Sequence, residues 1–179
     1  LQDVEDPMRL FQEEAVSYVE AGFQAVKMKV GFGVEQDFKL VKAVREAIGP
    51  GVALMVDANH AYDAVEAIRL GRRIAPYEIG WFEEPVCPED LDGYRECRDI
   101  LPMPIAGGES EWTRFGFREL LVRRTVDIVQ PDVCMSGGLS EGKKIAIMAN
   151  AFGVRCNPHT WGTGIAIAAS LQFLAILPH

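Results

Sequence analysis

The sequence predicts an α/β fold of the TIM type, a (β/α) barrel domain with about six of its eight βα units present. Short apolar runs alternate with amphipathic segments along all 179 residues, and no linker or low-complexity stretch divides them. Each apolar run closes in a polar or charged group: Lys27 and Lys29, then Asp57, Glu83, Glu109, Asp132 and His159. From Lys29 onward the steps between these groups are 28, 26, 26, 23 and 27 residues, a near-constant period that matches one βα unit. Charge at the end of every strand points to a barrel, whose functional groups gather at the C-terminal ends of its strands. A doubly wound sheet is the competing fold. It concentrates its site at one switch point and often carries a Gly-rich loop after its first strand, and here Gly31 and Gly33 follow Lys29 without the full G-x-G-x-x-G.

The elements follow in order. A helix from about Met8 to Ala21 stops at Gly22, and a strand runs from Ala25 to Val30. The helix from about Glu35 to Ile48 places Leu40, Val41, Val44 and Ile48 on one face and ends at Gly49 and Pro50. Strand Val52 to Asp57 comes next, then a helix capped by Asp63 and Glu66 that ends near Ala75, then a strand closed by Trp81, Phe82 and Glu83. A helix from about Leu91 to Leu101 precedes a short strand, Pro104 to Ala106. Thr113 is expected to cap a helix reaching Arg123, and Val126 to Gln130 reads as a buried strand. Ser140 is expected to cap a helix reaching Ala151, and the last pair is the strand Val154 to Asn157 with a helix from about Gly164 to Leu177. Gly137 and Gly138 read as a turn.

Hydrophobic residues make up 49% of the chain and charged residues 25%, the balance of a globular domain with a core of its own. A net charge of −8, with no block of Lys and Arg, argues against nucleic acid as a partner. The longest apolar stretch, Ile165 to Leu177, is broken by Ser170 and Gln172 and is shorter than the roughly 20 residues that span a bilayer. Cys87, Cys97, Cys134 and Cys156 show no C-x-x-C spacing, so neither a zinc site nor a disulfide framework is expected and a cytoplasmic location fits. The chain starts without Met or a signal-peptide pattern and is expected to be part of something longer.

Asp57, Glu83 and Glu109 end three consecutive strands, so in a barrel they converge on neighbouring points of one rim. Two like charges about 4 Å apart repel by roughly 4 kcal/mol at an effective dielectric of 20, so three ionised carboxylates need a cation. Oxygen-only ligands with room for water and substrate indicate a hard divalent ion, Mg²⁺. Any one of these acids alone reads as a helix cap or a solvated loop; the shared period sets that reading aside. Lys27 and Lys29 are one residue apart and point to the same side of their strand. A partly desolvated lysine beside another cation has its pKa drawn down from about 10.4 toward 7 or 8, where it can serve as a base. Lys29, nearer the strand end, is the candidate base, and Lys27 is the candidate for holding an anionic substrate group. Asp132 can hold the His159 imidazole in one tautomer and favour its protonated form. His159 and Lys29 would then face a substrate from opposite sides. Asn59 is expected to turn inward and donate to substrate, Trp161 to line the pocket, and Glu84 to point away from the interior.

The strings AVKMKVG, VDAN, WFEEP, AGGES, VQPD and NPHTWGTG, in that order and spacing, resemble the enolase superfamily, specifically its mandelate racemase-like group. The resemblance covers essentially the whole chain. It implies that Asp57, Glu83 and Glu109 bind Mg²⁺, that Lys29 is one base and His159 of a dyad with Asp132 is the other, and that Lys27 sits near the substrate carboxylate. The shared step it implies is removal of the proton α to a carboxylate through an enediolate, and the expected activity is that of a sugar-acid dehydratase. A racemase or epimerase of an α-hydroxy acid, and a catalytically silent fragment or binding module, remain as alternatives. Muconate-lactonising and dipeptide-epimerising relatives carry a lysine on the strand that here holds Val126 to Asp132, and its absence argues against those activities. The resemblance also implies an N-terminal capping domain and a last barrel strand, so residues 1–179 are expected to be a partial C-terminal barrel domain. The expected partners are a small-molecule carboxylate substrate and further copies of the chain in a homo-oligomer, with neither nucleic acid nor membrane.

Overall fold

The computed structural model describes residues 6–177. The described residues fold as two compact units, one of residues 6–87 with 100–103 and one of residues 88–99 with 104–177.

The first unit opens with α1 (Pro7–Glu20), whose start is set by Asp6 accepting the Arg9 N–H at 3.1 Å and by Pro7 in the first turn. Strand β1 (Ala25–Lys29) buries Val26 and Met28 on one face and turns Lys27 and Lys29 to the other. Helix α2 (Val34–Ile48) packs Leu40, Val41, Val44 and Ile48 into the core, as its 3.6-residue period predicts, and ends at Gly49. Strand β2 (Ala53–Asp57) is buried from Leu54 to Asp57, on both faces, as parallel strands usually are. Helix α3 (Ala64–Ile74) is capped by Asp63, which accepts the Glu66 N–H at 2.8 Å, and carries Arg72 and Arg73 in its last turn. A 3₁₀ turn (Ala75–Tyr77) leads into β3 (Ile79–Glu83).

These three strands are parallel and pair in chain order. The register sets Lys29 opposite Asp57 and Asp57 opposite Glu83, so the three groups form one row across the sheet. A register shift between Leu54 and Val56 brings the last pair into line.

The second unit holds most of α4 (Leu91–Ile100), then β4 (Ile105–Gly107), α5 (Thr113–Arg123), β5 (Ile128–Val129), α6 (Leu139–Ala151), β6 (Arg155–Cys156) and α7 (Gly164–Leu174). Its strands are also parallel, with Gly107 opposite Val129 and Val129 opposite Cys156. Glu109 therefore lies two residues beyond its row, and Asp132 and His159 each lie three beyond. Ile105, Phe117, Leu121, Ile128 and Ile145 are fully buried here. Val133, Ala146 and Phe173 form a cluster against which Cys156, Ala169 and Leu177 pack. The four cysteines form no disulfide, and burial pushes the thiols of Cys97 and Cys156 up to about 12.

Two expected caps are corrected. Thr113 is the first residue of α5, with φ 54°, and the first-turn Arg114 N–H is met from outside the helix by Glu141 Oε1 at 3.0 Å. Ser140 lies inside α6, which starts after Gly138 in a backbone conformation (φ 87°) that favours glycine. The expected strands at 126–130 and 154–157 shorten to two residues each, and the last helix ends at Leu174.

The loop after β1 is tied down from three directions. Gly31 has φ 111°, and a Cβ there would stand 2.7 Å from Ala61 Cβ, so only glycine fits. The fully buried Asp37 carboxylate accepts the Gly31 N–H at 2.6 Å, the Phe32 N–H at 3.2 Å and the Tyr62 hydroxyl. Burial, against those three donors, holds the Asp37 carboxyl above its ordinary value. We predict that Asp37→Ala, which orphans three donors, lowers unfolding free energy by about 2–4 kcal/mol, and Tyr62→Phe by about 1 kcal/mol. Urea denaturation checks this; equal stability of Asp37→Ala and the parent would contradict it.

Candidate active site

Asp57 and Glu83 carry no exposure at all, and each is met by lysines from β1. Lys29 Nζ donates to Asp57 Oδ2 at 2.6 Å and also to Asn59 Oδ1. Lys27 Nζ donates to Glu83 Oε1 and lies 3.4 Å from Asp57 Oδ2. The remaining oxygens accept from neutral donors: Asp57 Oδ1 from the Asn59 N–H at 3.0 Å, Glu83 Oε2 from the Trp81 indole at 2.8 Å. Trp81 and Glu83 share a strand face by their spacing of two, a signal the sequence already carried.

The two lysines sit in different surroundings. Burial draws the Lys27 ammonium down, but Glu83 and then Asp57 outweigh it, so Lys27 is held above its ordinary value and stays cationic. Burial pushes the Asp57 carboxyl up, while the Lys29 hydrogen bond, the Lys27 charge and the Asn59 N–H together bring it below its ordinary value. Lys29, the expected base, is the more open of the two, with 54% of its side chain exposed against 32%.

Asn59 and Glu84 meet beside Lys29. The Asn59 amide turns its oxygen to Lys29 and donates its N–H to Glu84 Oε2 at 3.3 Å, so both ends have protein partners. Glu84 is buried, and its Oε2 lies 2.6 Å from His60 Nε2. The strand's alternation would send it opposite to Glu83, but residue 84 has φ 42°, which ends the alternation.

In the second unit, Asp132 Oδ2 lies 2.8 Å from His159 Nδ1, and its other oxygen accepts the Cys134 N–H at 2.7 Å. A carboxylate against Nδ1 keeps hydrogen on that nitrogen and leaves Nε2 as the working one. Nε2 faces Glu109 Oε2 at 3.4 Å. The three groups expected at this row, Glu109, Asp132 and His159, are thus together. Trp161, 80% exposed in the loop before α7, is the least engaged of the expected residues.

The model of the family described as enolase C-terminal domain-like matches residues 10–179. D-galactarolactone cycloisomerase of Agrobacterium fabrum is 55% identical over 156 residues, covering 87% of this chain and 41% of that protein. Arabinonate dehydratase of Saccharolobus solfataricus is 41% identical, covering 96% and 46%. Among solved structures, the 3,6-anhydro-D-galactonate cycloisomerase from Zobellia galactanivorans superposes with a TM-score of 0.94 at 52% identity over 95% of this chain and 48% of that one. A racemase from Streptomyces coelicolor A3(2), solved with bound magnesium, matches at 0.90 with 34% identity, over 99% and 48%. The chain spans about half the length of these relatives, and its fold is part of their (β/α) barrel domain. No helix among the described residues is long and apolar enough to cross a membrane.

The Asp57 shift makes a pH prediction. A carboxyl lowered in the fold stabilises it in full above its unfolded value, near 3.8, and that contribution is lost as pH falls through the lower folded value. In metal-free protein, Asp57→Asn should therefore flatten the acid side of the stability–pH curve relative to the parent. Parallel curves for the two below pH ~4 would contradict the pairing.

Proposed function

We propose, from the premise that this chain belongs to the enolase C-terminal domain-like family, that its protein removes the proton α to the carboxylate of a sugar acid and then expels the β-oxygen. The observation that carries this reading is the pair Asp57 and Glu83, two fully buried carboxylates side by side at strand ends, bridged to two lysines. Together with Glu109 they offer three hard oxygen donors, and each carboxylate keeps lone pairs beyond its present hydrogen bonds. That donor set fits Mg²⁺. When bound, Mg²⁺ supplies a Lewis acid that stabilises negative charge developing on the substrate carboxylate.

The chain's own residues do the rest. Lys27, held cationic, pairs with the same carboxylate and favours the enediolate over the acid anion. Lys29 in its neutral form takes the α-proton, and the C–H electron pair moves onto the carboxylate. His159, as an imidazolium whose Nδ1–H is held by Asp132, gives its Nε2 proton to the β-oxygen as the C–O bond breaks and is left neutral with hydrogen on Nδ1. Where that oxygen is a hydroxyl, water leaves and the enol tautomerises to a 2-keto-3-deoxy acid, a dehydration. Where it belongs to a ring, the same elimination opens the ring and loses no atom, a cycloisomerisation. The dehydratase reading rests on relatives such as the arabinonate dehydratase, and the cycloisomerase reading is favoured by the higher identity of the two cycloisomerases.

The test is NMR in D₂O on the natural-length protein with a panel of open-chain and cyclic sugar acids, with and without Mg²⁺. Product should form only with Mg²⁺, and Lys29→Ala should lose about 10²–10⁴-fold in rate, the usual worth of an acid–base group. In a parallel reaction in H₂O, product mass one water lighter than substrate marks the dehydratase, and unchanged mass the cycloisomerase. Turnover without Mg²⁺, or undiminished in Lys29→Ala, would overturn the assignment.

A further inference from the structure

We propose that Glu84 is a positioning residue for Lys29, acting through the side-chain amide of Asn59; this rests on Lys29 being the base proposed above.

Asn59 and His60 are both left-handed, with φ 41° and 67°, so the loop after β2 curls back over the end of β3. There the His60 N–H donates to the Glu84 carbonyl at 2.9 Å, and His60 Nε2 lies 2.6 Å from Glu84 Oε2. The same Oε2 accepts the Asn59 Nδ2–H at 3.3 Å, and Asn59 Oδ1 accepts from Lys29 Nζ. The hydrogen-bonded chain of side chains is therefore Glu84, Asn59, Lys29.

Its chemistry follows from which groups can only accept. A primary amide has a donor end and an acceptor end, whereas an ionised carboxylate only accepts and an ammonium only donates. With Glu84 on one side and Lys29 on the other, a single orientation of Asn59 satisfies both. The flipped amide would put NH₂ against the ammonium and oxygen against a buried carboxylate, two repulsive contacts. Glu84, 1% exposed, thus selects the amide end that holds Lys29. Gln at 84 has a donor end of its own and removes that selection.

The test compares Glu84→Gln, Asn59→Ala and the double variant in the natural-length protein by two readouts. One is competitive acetylation of Lys29 against Lys27, without substrate and read by mass spectrometry. The other is kcat and KM for Mg²⁺-dependent α-proton exchange. Each single variant should raise relative labelling of Lys29 several-fold and lower kcat about tenfold, the scale of one charge-assisted hydrogen bond, with KM nearly unchanged. The double variant should do no more than Asn59→Ala alone, because Glu84 acts through Asn59. Full additivity, or Lys29 labelling unaltered in Glu84→Gln, would overturn the proposal. If Glu84→Gln fails to fold, Glu84→Asp, which keeps an acceptor-only group but draws it back from the Asn59 amide, should shift the same readouts in the same direction, and no shift would overturn it. Absence of exchange with any acid in the parent, alongside non-additive labelling, would remove the proposed reaction and leave the relay standing; exchange with additive labelling would remove the relay alone.

Discussion

Asp57 and Glu83 sit opposite one another on adjacent parallel strands with no exposure to solvent, and ionised carboxylates in such a place require cations within a few ångströms. Lys27 and Lys29 supply them from the neighbouring strand, and much of the surrounding construction serves that juxtaposition. Parallel pairing aligns Lys29, Asp57 and Glu83 in one row. The alternation of β1 puts both lysines on the face opposite Val26 and Met28, so the same strand feeds the core and the site. Removing one member of a buried ion pair typically costs about 3–5 kcal/mol, because it strands the other charge. The site is correspondingly sensitive to any change in register.

Holding these charges in place is largely the work of the loops. Gly31 presses against Ala61 where no side chain could fit, and Asp37 and Tyr62 tie the backbone that follows Lys29 to the loop that follows Asp57. The left-handed residues Asn59, His60 and Glu84 do the same one strand further on. In the second unit Asp132 performs the equivalent service for His159, with one oxygen on the imidazole and the other on the Cys134 N–H. In both units a carboxylate that need not touch substrate orients a group proposed to do so.

The strand-end groups were legible from sequence because a βα unit has a characteristic length and its strand ends recur with it. Lys27 and Lys29 were legible because a strand has period two. Glu84 was not, since strand alternation puts it opposite to Glu83 and nothing local announces the left-handed turn at residue 84. The protein partners of Asn59 were not legible either, because a short polar side chain beside an acid does not reveal which neighbours it will satisfy. The misplaced caps share a cause: the α5 N-terminus is met by Glu141, far away in sequence, and the α6 start relies on glycine backbone.

The central proposal is that Asp57, Glu83 and Glu109 act together on one divalent ion. Its most direct measurement is equilibrium binding of Mn²⁺, standing in for Mg²⁺ and followed by electron paramagnetic resonance. The natural-length protein is compared with Asp57→Asn, Glu83→Gln and Glu109→Gln, each checked for a cooperative melt. The account predicts one ion per chain, competed by Mg²⁺, and weakened at least about tenfold by each substitution, including Glu109→Gln, as loss of a charged ligand implies. Binding that survives Glu109→Gln unchanged, or no binding by the parent protein, would contradict it.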